Sequence, residues 1–199
     1  LAVCGTINDL AVSGAEPEAL TLALVLAEGL GIDVLERVLR SAGRTAREAG
    51  VRIATGDTKV LPRGALDGMI INTAGVGRIK AGAGLSFDRI QSGDAVVLSG
   101  PLGEHGLAVM SKRKGLSFAT TLTSDCAALH PLAAALMDEL GEQLRFMRDP
   151  TRGGLAATVV EIAGSSGHDV EIDESSLPPN STVRAAADML GLDVLSVAN

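Results

Sequence analysis

One segment near the end of the sequence, residues 149–154 (DPTRGG), constrains this chain more than any other, because an apolar run of helical composition directly follows it. The exposed N–H groups and the dipole at the start of a helix favour a bound anion. Gly153 and Gly154 would let a phosphate approach the backbone, and Arg152 could hold it with two hydrogen bonds. Asp149 would repel that phosphate unless a metal ion lay between them. The segment therefore predicts a metal–phosphate site, although an ordinary helix start with a solvated arginine explains it equally well.

A second segment of similar character, residues 54–60 (ATGDTKV), ends a short apolar run that predicts a strand. It brings together a glycine, an acid, a hydroxyl and a cation, which are Gly56, Asp57, Thr58 and Lys59. Ligands of α/β proteins favour the ends of strands. Taken alone the segment is typical of a turn, but its likeness to residues 149–154 favours a shared binding role.

A third polar pair, Asn8 and Asp9, interrupts an otherwise apolar stretch. In a helix the pair would lie among residues that are expected to pack, which are Leu1, Cys4, Ile7, Leu10 and Ala11. Burying such polar groups without partners costs roughly a few kcal/mol each. A structural hydrogen bond would satisfy them, and so would a bound Mg²⁺ ion, so the sequence leaves both roles open.

Composition narrows the class of protein. The 199 residues carry a net charge of −7 and no basic run, which argues against a nucleic-acid partner. No apolar run reaches membrane-spanning length and no signal peptide is visible, so we expect no membrane partner. The two cysteines do not make a disulfide scaffold and fit a reducing, cytoplasmic setting. The three histidines lack the spacing of a zinc site.

Two isolated residues invite functional hypotheses that the sequence does not favour. His105 lies in a glycine-rich stretch, residues 103–106 (GEHG), where a turn-stabilising role is the simpler interpretation. Cys126 has no histidine or cation obviously paired with it, so we expect this thiol to be buried or unreactive.

The spacing of apolar residues predicts a mixture of helices and strands. Residues 20–27 alternate large and small side chains and predict a strand, while Asp33 and Glu36 resemble a capping box at the start of a helix that Gly50 ends. Further strands are predicted at 51–54, at 69–76, at 95–98, near 144 and at 170–172, and further helices after Gly106, at 127–140 with Pro131 in the first turn, after Gly154 and from Val183. Residues 81–93 show little periodicity and predict a linker.

Five stretches of the chain carry a family resemblance. They are residues 1–14 (LAVCGTINDLAVSG), 55–59 (TGDTK), 71–75 (INTAG), 124–126 (SDC) and 149–154 (DPTRGG). In this order they resemble the PurM-like, AIR synthase-related superfamily of ATP-dependent enzymes, which includes the purine-synthesis cyclo-ligase, selenide water dikinase and thiamine-monophosphate kinase. The strongest resemblance is to the HypE family of hydrogenase maturation proteins. Each stretch is weak alone, but the ordered combination is specific.

The resemblance implies an α+β fold with the two-domain PurM-like architecture. Residues 1–80 would form an N-terminal ATP-binding domain whose sheet dimerises with its twin, residues 81–93 a linker, and residues 94–199 a C-terminal α+β domain. Members of the HypE family extend further in both directions, so the resemblance also implies an internal fragment, truncated at both ends. It would lack the family's early glycine-rich nucleotide segment and its C-terminal cysteine.

The activity that the resemblance implies is an ATP-dependent carbamoyl dehydratase that uses Mg²⁺. Such an enzyme converts an S-carboxamide on its own C-terminal cysteine to a thiocyanate, which supplies the cyanide ligand of nickel–iron hydrogenases. The implied partners are a second copy of the chain in a homodimer, the carbamoyltransferase HypF and the HypC–HypD complex. The alternatives are a relative that phosphorylates another small substrate and a non-catalytic scaffold for maturation proteins.

The same resemblance assigns roles to individual residues. The metal-side acids would be Asp9, Asp57 and Asp149. The groups near the nucleotide phosphates would be Asn8, Gly56, Thr58, Arg152, Gly153 and Gly154. Lys59 would polarise the phosphate or thiocarboxamide oxygen, although a solvated surface lysine is the ordinary interpretation of such a residue. Because family segments at both ends are missing, we expect this chain alone not to complete the dehydration and to bind ATP weakly at most.

Overall fold

The computed structural model describes residues 1–115, 122–177 and 180–199 of the chain. The chain forms two compact units. The first unit consists of Leu1–Gly84 and Ala127–Leu144, and the second consists of Leu85–Cys126 and Arg145–Asn199. The chain therefore returns from the second unit to the first at Ala127–Leu144. The predicted division into residues 1–80 and 94–199 does not include this return.

Helices and strands mix in the first half of the chain, whereas the described part of the second half is helical. In chain order the regular elements are α1 (Ala2–Val12), β1 (Ala15–Ala27), α2 (Ile32–Glu48), β2 (Arg52–Leu61), β3 (Met69–Ile79), α3 (Glu104–Lys114), α4 (His130–Leu140), α5 (Gly154–Ser166) and α6 (Ser181–Leu190). Short 3₁₀ turns lie at Phe87–Arg89, Gly141–Gln143, Glu174–Ser176 and Val194–Ser196. Helix α4 belongs to the first unit, and helices α3, α5 and α6 belong to the second.

The first unit is built on a three-stranded sheet with the strand order β2–β1–β3. The central strand β1 runs parallel to β2 and antiparallel to β3. Every second side chain along the predicted strand is buried, namely those of Leu20, Leu22, Leu24 and Leu26. These leucines pack against α1 and α2, which cover one face of the sheet. The alternation that predicted this strand is therefore confirmed, and it marks which face holds the core.

The opposite face of the sheet, here called the open face, carries mainly small and apolar side chains. Its members on β1 are Thr21, Ala23 and Val25, and those on β3 are Ile70, Asn72, Ala74 and Val76; alternate residues of β2 complete it. Ile70 and Val76 of the edge strand β3 are 51% and 64% exposed, which is high for large apolar side chains. An exposed apolar face of this kind is typical of an interaction surface.

Helix α1 packs on the covered face through a single apolar stripe. Its buried residues are Val3, Cys4, Ile7 and Ala11, a spacing that places them on one side of a helix. The hydroxyl oxygens of Thr6 and Thr73 lie 2.7 Å apart and add a polar contact to β3. Gly75 of β3 brings the helix close, because a β-carbon there would collide with side chains of α1 and β1. The sheet thus fixes the position of Asn8 and Asp9.

The second unit packs around an apolar cluster contributed by α3, α6 and the last residues of the chain. Its buried members are Leu107, Val183, Ala186, Ala187 and Val197. Helix α5 buries Gly154, Leu155 and Thr158 near its start. The described residues of this unit contain no strand.

Three predicted strands of the second half are wrong. Residues 95–98, the region near 144 and residues 170–172 pair with no strand in the described ranges. Val96 and Val97 are 61% and 84% exposed, so the apolar run at 95–98 is not buried in a sheet. A strand requires a hydrogen-bonding neighbour, and a short apolar run does not supply one by itself.

Two element boundaries differ from prediction in places that bear on the site. The strand predicted at 51–54 continues to Leu61 as β2, so residues 55–59 lie inside a strand and not in a turn after it. Pairing with β1 extends the ladder through these polar residues. The helix predicted from residue 127 begins at His130, because residues 127–129 are held by a side chain of α1, described below.

Of the two end signals predicted for helix α2, the glycine at its end is correct and the capping box at its start is wrong. It occupies Ile32–Glu48 and is followed by Gly50 in the left-handed region at φ +68°, as a helix terminator should be. Gly31 stands at the N-cap without a side-chain hydrogen bond, so the predicted capping box at Asp33 is wrong. None of the helices in the described ranges is long and apolar enough to cross a membrane.

Candidate functional site

Strand β2 divides the candidate residues of segment 55–59 between the two faces of the sheet. Asp57 and Lys59 are in register with open-face residues of β1 and therefore point to the open face. Gly56 and Thr58 alternate with them and point to the covered face. All four residues are exposed. An acid and a cation thus lie side by side on an edge strand of an otherwise apolar surface.

Gly56 is required by the close approach of the neighbouring strand. A β-carbon at this position would collide with the carbonyl oxygen of Leu22 on β1. The neighbouring carboxylate of Asp57 accepts the N–H of Thr58 at 2.8 Å, which leaves its second oxygen available. Gly56, which the family resemblance places near the nucleotide phosphates, therefore has a packing role that the sequence did not reveal.

Asn72 is an open-face residue that the sequence interpretation did not single out. Ala23 of the central strand has Asn72 as its partner on β3 and Asp57 as its partner on β2. Neighbouring strands are about 4.8 Å apart, so the two polar residues flank a small one at a Cα separation of about 10 Å. In the sequence, Asn72 is distinguished only as a polar residue within a predicted strand. Such residues are too common to identify a binding site.

Asn8 has both ends of its side-chain amide engaged. The amide nitrogen donates to the carbonyl oxygen of Ala127 at 3.0 Å, and the amide oxygen accepts the N–H of Leu129 at 2.8 Å. These residues immediately precede α4, so Asn8 joins α1 to the start of another helix. Of the two roles that the sequence left open for Asn8, the structure displays the hydrogen-bonded one.

Asp9 is exposed on α1, and its helix does not adjoin β2. Helix α1 packs on β1 and β3, whereas Asp57 lies on the far strand of the sheet. In the described part of either unit, no three carboxylate, histidine or cysteine side chains gather as a metal site would require. Within this unit the two predicted metal-side acids therefore lie apart.

In the second unit, the segment 149–154 places its charged residues at the start of α5. The carboxylate of Asp149 lies 3.8 Å from the guanidinium of Arg148 and is 21% exposed. Arg148 also contacts Glu161 at 3.2 Å, so it is shared between two acids. Arg152 is exposed and forms no ion pair within the described ranges. The segment thus presents one unpaired cation beside a partly paired acid.

Gly154 is fixed by the backbone that packs against it. It is buried with a φ of +61°, and a β-carbon there would lie 2.5 Å from the carbonyl oxygens of Leu195 and Val197. Gly153, the N-cap residue of α5, also has a positive φ of +75°. Both glycines of the motif are therefore required by local conformation, whether or not a phosphate is bound.

A second glycine-rich helix start lies beside the same strip of backbone. The N–H of Gly106 in α3 donates to the carbonyl oxygen of Ala198 at 3.0 Å, and the N–H of Asn199 donates to that of Pro150 at 3.1 Å. The Asn199 amide oxygen also accepts the N–H of Gly103, the N-cap of α3, at 2.9 Å. The starts of α3 and α5 are thereby joined through residues 198–199. Two helix N-termini, each favourable for an anion, border one region of the second unit.

Each unit carries one of the polar segments described above, 55–59 in the first and 149–154 in the second, and the comparison with known families covers both units. Residues 1–79 match the family model "AIR synthase related protein, N-terminal domain", and residues 91–199 match "AIR synthase related protein, C-terminal domain". The chain therefore belongs to the AIR synthase related protein family, with its mixed α and β architecture.

Curated relatives narrow the likeness within that family. The chain is 51% identical over 199 residues to the carbamoyl dehydratase HypE of Rhizobium leguminosarum bv. viciae, and 45% identical to that of Escherichia coli K12. All of this chain is covered in both comparisons, but only 57% and 59% of the relatives. The chain thus spans less than two thirds of the length of these proteins.

Solved structures of HypE proteins also match this chain over its whole length. The whole chain superimposes on the hydrogenase maturation protein HypE in complex with ATP with a TM-score of 0.96 and 49% identity, covering 59% of that chain. The HypE–HypF complex gives a TM-score of 0.97 at 44% identity, covering 65% of the matched chain. A thiamine-monophosphate kinase from Aquifex aeolicus gives 0.74 at 17% identity, covering 98% of this chain and 65% of that one, which shows a shared fold alone.

Proposed function

We propose that the full-length protein containing this chain is an ATP-dependent carbamoyl dehydratase, which converts a carbamoylated cysteine to a thiocyanate and supplies the cyanide ligand of nickel–iron hydrogenases. The observation that carries the proposal is the superposition of all 199 residues on HypE solved with ATP, at 49% identity. Fold alone would not support a shared reaction, whereas identity at this level over the whole chain does.

The reaction explains why the candidate groups include cations at a phosphate site. The oxygen of a carboxamide is a poor leaving group, and transfer of a phosphoryl group to that oxygen makes it a good one. Loss of phosphate and protons then leaves the nitrile of the thiocyanate. Cations must neutralise the transferred charge, and a base must accept the protons. Arg152 and Lys59, which form no ion pair with residues 1–115, 122–177 or 180–199, carry positive charge suited to the first task.

The candidate acids of the chain have the type of side chain that binds Mg²⁺ in proteins. When bound, this ion would neutralise charge on the phosphates. Asp9, Asp57 and Asp149 are the candidates to hold it, because carboxylate oxygens are the ligands that Mg²⁺ prefers. Separate acids fit this ion better than a cage would, since it usually binds through one or two carboxylates together with phosphate oxygens and water. The remaining phosphate contacts are assigned to Thr58 and to the α5 start.

An exposed apolar surface of the chain and one of its relatives support the proposed partners. The open face, apolar and exposed at Ile70 and Val76, supports a homodimer in which two sheets pack face to face. The likeness to HypE in its complex with HypF supports a carbamoyltransferase as a second partner. The HypC–HypD complex would accept the cyanide group. Cys4 and Cys126 form no disulfide, which fits a reducing cytoplasm.

Mass spectrometry of the full-length protein tests the proposed function. The carbamoylated protein, incubated with ATP and Mg²⁺, should lose the mass of one water on its modified cysteine while forming ADP. The same protein without ATP should keep the carbamoyl group. Phosphorylation of a small molecule without loss of water would favour a kinase, and absence of both ATP binding and ATP consumption would favour a non-catalytic scaffold.

A further inference from the structure

Asn199 contacts both glycine-rich helix starts of the second unit. Its side-chain amide oxygen accepts the N–H of Gly103 at 2.9 Å, and its amide nitrogen donates to the carbonyl oxygen of Pro101 at 3.2 Å. Its backbone N–H donates to the carbonyl oxygen of Pro150 at 3.1 Å. The side chain therefore holds the residues before α3, whereas the backbone holds the second residue of the segment 149–154.

Two glycines fix the strip of backbone that leads to Asn199. A β-carbon on Gly106 of α3 would lie 2.7 Å from the carbonyl oxygen of Ala198, and one on Gly154 of α5 would lie 2.5 Å from that of Val197. Both helices thus approach this strip more closely than any residue other than glycine allows. The N–H of Gly106 also donates to Ala198 at 3.0 Å. A displacement of Asn199 would therefore be transmitted to both helix starts.

The start of α3 is also held by a contact that does not involve Asn199. The Nδ1 atom of His105 lies 2.8 Å from the hydroxyl oxygen of Ser124, which also accepts the N–H of Cys126 at 3.1 Å. This contact supports the turn-stabilising role predicted for His105, whereas the predicted burial of Cys126 is wrong, because Cys126 is exposed. The start of α3 is therefore a fixed point to which the side chain of Asn199 is attached.

The turn within the segment 149–154 depends on Asn199 for a contact outside itself. Pro150 offers only its carbonyl oxygen to the backbone network, because a proline has no N–H, and Asn199 takes that oxygen. Within the segment, the N–H of Gly154 donates to the carbonyl oxygen of Thr151 at 3.2 Å, which closes the turn that carries Arg152. The contact with Asn199 thus joins this closed turn to the fixed start of α3.

We propose that Asn199 is a positioning residue for the phosphate-binding turn, through which it sets the orientation of Arg152 toward the phosphates of ATP. The inference rests on the proposed function, in which Arg152 neutralises phosphate charge. Asn199 acts through Pro150 and needs no contact with the nucleotide. Such a role has a measurable effect, because a displacement of about 1 Å in a group that binds substrate weakens its contact strongly.

Steady-state ADP formation by the carbamoylated full-length protein, measured at varied ATP concentration, tests this role. Asn199→Ala loses both side-chain hydrogen bonds but keeps the backbone N–H to Pro150, so the fold should survive. We expect its KM for ATP to rise about tenfold while kcat falls less than about twofold. Lost folded protein alone would lower kcat and leave KM unchanged.

Asn180→Ala is the matched control in the same unit. Asn180 also makes two side-chain hydrogen bonds, to Glu104 of α3 at 2.8 Å and to the N–H of Thr182 at 3.0 Å, and neither reaches residues 149–154. Its KM for ATP should therefore stay at the value of the unsubstituted protein. An equal rise of KM in Asn180→Ala would assign the effect to general loosening of the unit and would overturn the inference.

A double-mutant cycle shows whether Asn199 acts through Arg152. Arg152→Ala should itself raise the KM for ATP, and adding Asn199→Ala to it should raise KM by less than about twofold further, because the group being positioned is already absent. Additive effects of the two substitutions would mean that Asn199 acts independently of Arg152 and would overturn the inference.

The remaining outcomes separate this inference from the proposed function. An unchanged KM for ATP in Asn199→Ala, beside a raised KM in Arg152→Ala, would overturn the role of Asn199 and leave the dehydratase standing. A lower kcat at unchanged KM in Asn199→Ala would assign this residue to stability alone, with the same consequence. If the unsubstituted carbamoylated protein formed neither ADP nor thiocyanate, the proposed function would fail and the inference with it.

Discussion

The side-chain amide of Asn8 accepts the N–H of Leu129 at 2.8 Å and thereby caps a helix more than a hundred residues away in sequence. Leu129 is the N-cap residue of α4 and its own side chain forms no capping hydrogen bond. The first N–H groups of a helix need such partners. The same amide donates to Ala127, so one side chain secures the segment that returns to the first unit.

Removal of the Asn8 amide should therefore destabilise the first unit. We expect Asn8→Ala to lower the free energy of unfolding by about 1–3 kcal/mol, because a backbone donor and an acceptor lose their partners. Asn8→Asp keeps an acceptor for Leu129 but places a carboxylate against the Ala127 carbonyl, so it should recover only part of the loss. Urea unfolding measures both. Ser41→Ala, exposed on α2, should change stability by less than about 0.5 kcal/mol, and an equal loss there would contradict the account.

Two glycines of the same helix should respond oppositely to alanine. Gly154→Ala forces a side chain onto a positive φ and against two carbonyl oxygens, so we expect a loss of more than about 2 kcal/mol. At Gly164, in the middle of α5, a β-carbon meets nothing within 4 Å, so alanine should stabilise by about 0.5–1 kcal/mol. Thermal unfolding of the two variants compares them directly. A stable Gly154→Ala variant would mean that residues 195–197 do not pack as described.

A charge on the open face should prevent dimerisation. Ile70 is 51% exposed in the single chain and would be buried between two sheets. An aspartate there would be buried without a partner in each copy, so Ile70→Asp should yield monomers in sedimentation velocity experiments on the full-length protein. Ile32 on α2 is 70% exposed and lies off the sheet, which makes Ile32→Asp the matched control. Dimers of unchanged strength in Ile70→Asp would exclude the open face as the interface.

The turn at 173–176 gives an independent check on local structure. The pKa of Asp173 is lowered from its usual value of 3.8, mainly because its carboxylate accepts the Ser175 hydroxyl and also the Ser175 N–H. A depressed pKa of this kind stabilises the fold above the ordinary value and loses that contribution as the pH falls through the folded value. Ser175→Ala should raise the pKa of Asp173 toward 3.8. Carbon-detected NMR titration measures it, and no change would mean that the hydroxyl contact is absent in solution.

The elements that the sequence predicts correctly are those whose signal lies within one element. The alternating leucines of β1 identify the buried face, and Gly50 ends α2, because burial and backbone conformation act locally. The run at 95–98 looks equally apolar but forms no strand, since pairing depends on a distant neighbour. For the same reason β2 continues beyond residue 54, because β1 extends its ladder through polar residues.

The candidate site shows a similar limit. Composition and order of motifs were sufficient to recognise the family, but not to separate packing roles from ligand roles. Gly56 and Gly154 are required by neighbouring backbone, and Asn8 is engaged with residues 127–129. The connection of the α3 and α5 starts through Asn199 depends on tertiary contacts that no local pattern encodes.

The most direct test of the proposed metal–phosphate site is calorimetric titration of the full-length protein with ATP in the presence of Mg²⁺. We expect Asp57→Asn and Asp149→Asn each to weaken binding at least about tenfold, which corresponds to about 1.4 kcal/mol. Asp33→Asn is the control, because Asp33 belongs to none of the motifs and its exposed ion pair with Arg37 on α2 contributes little. Unchanged ATP affinity in both site variants, with the fold intact by circular dichroism, would contradict the assignment of these acids to the site.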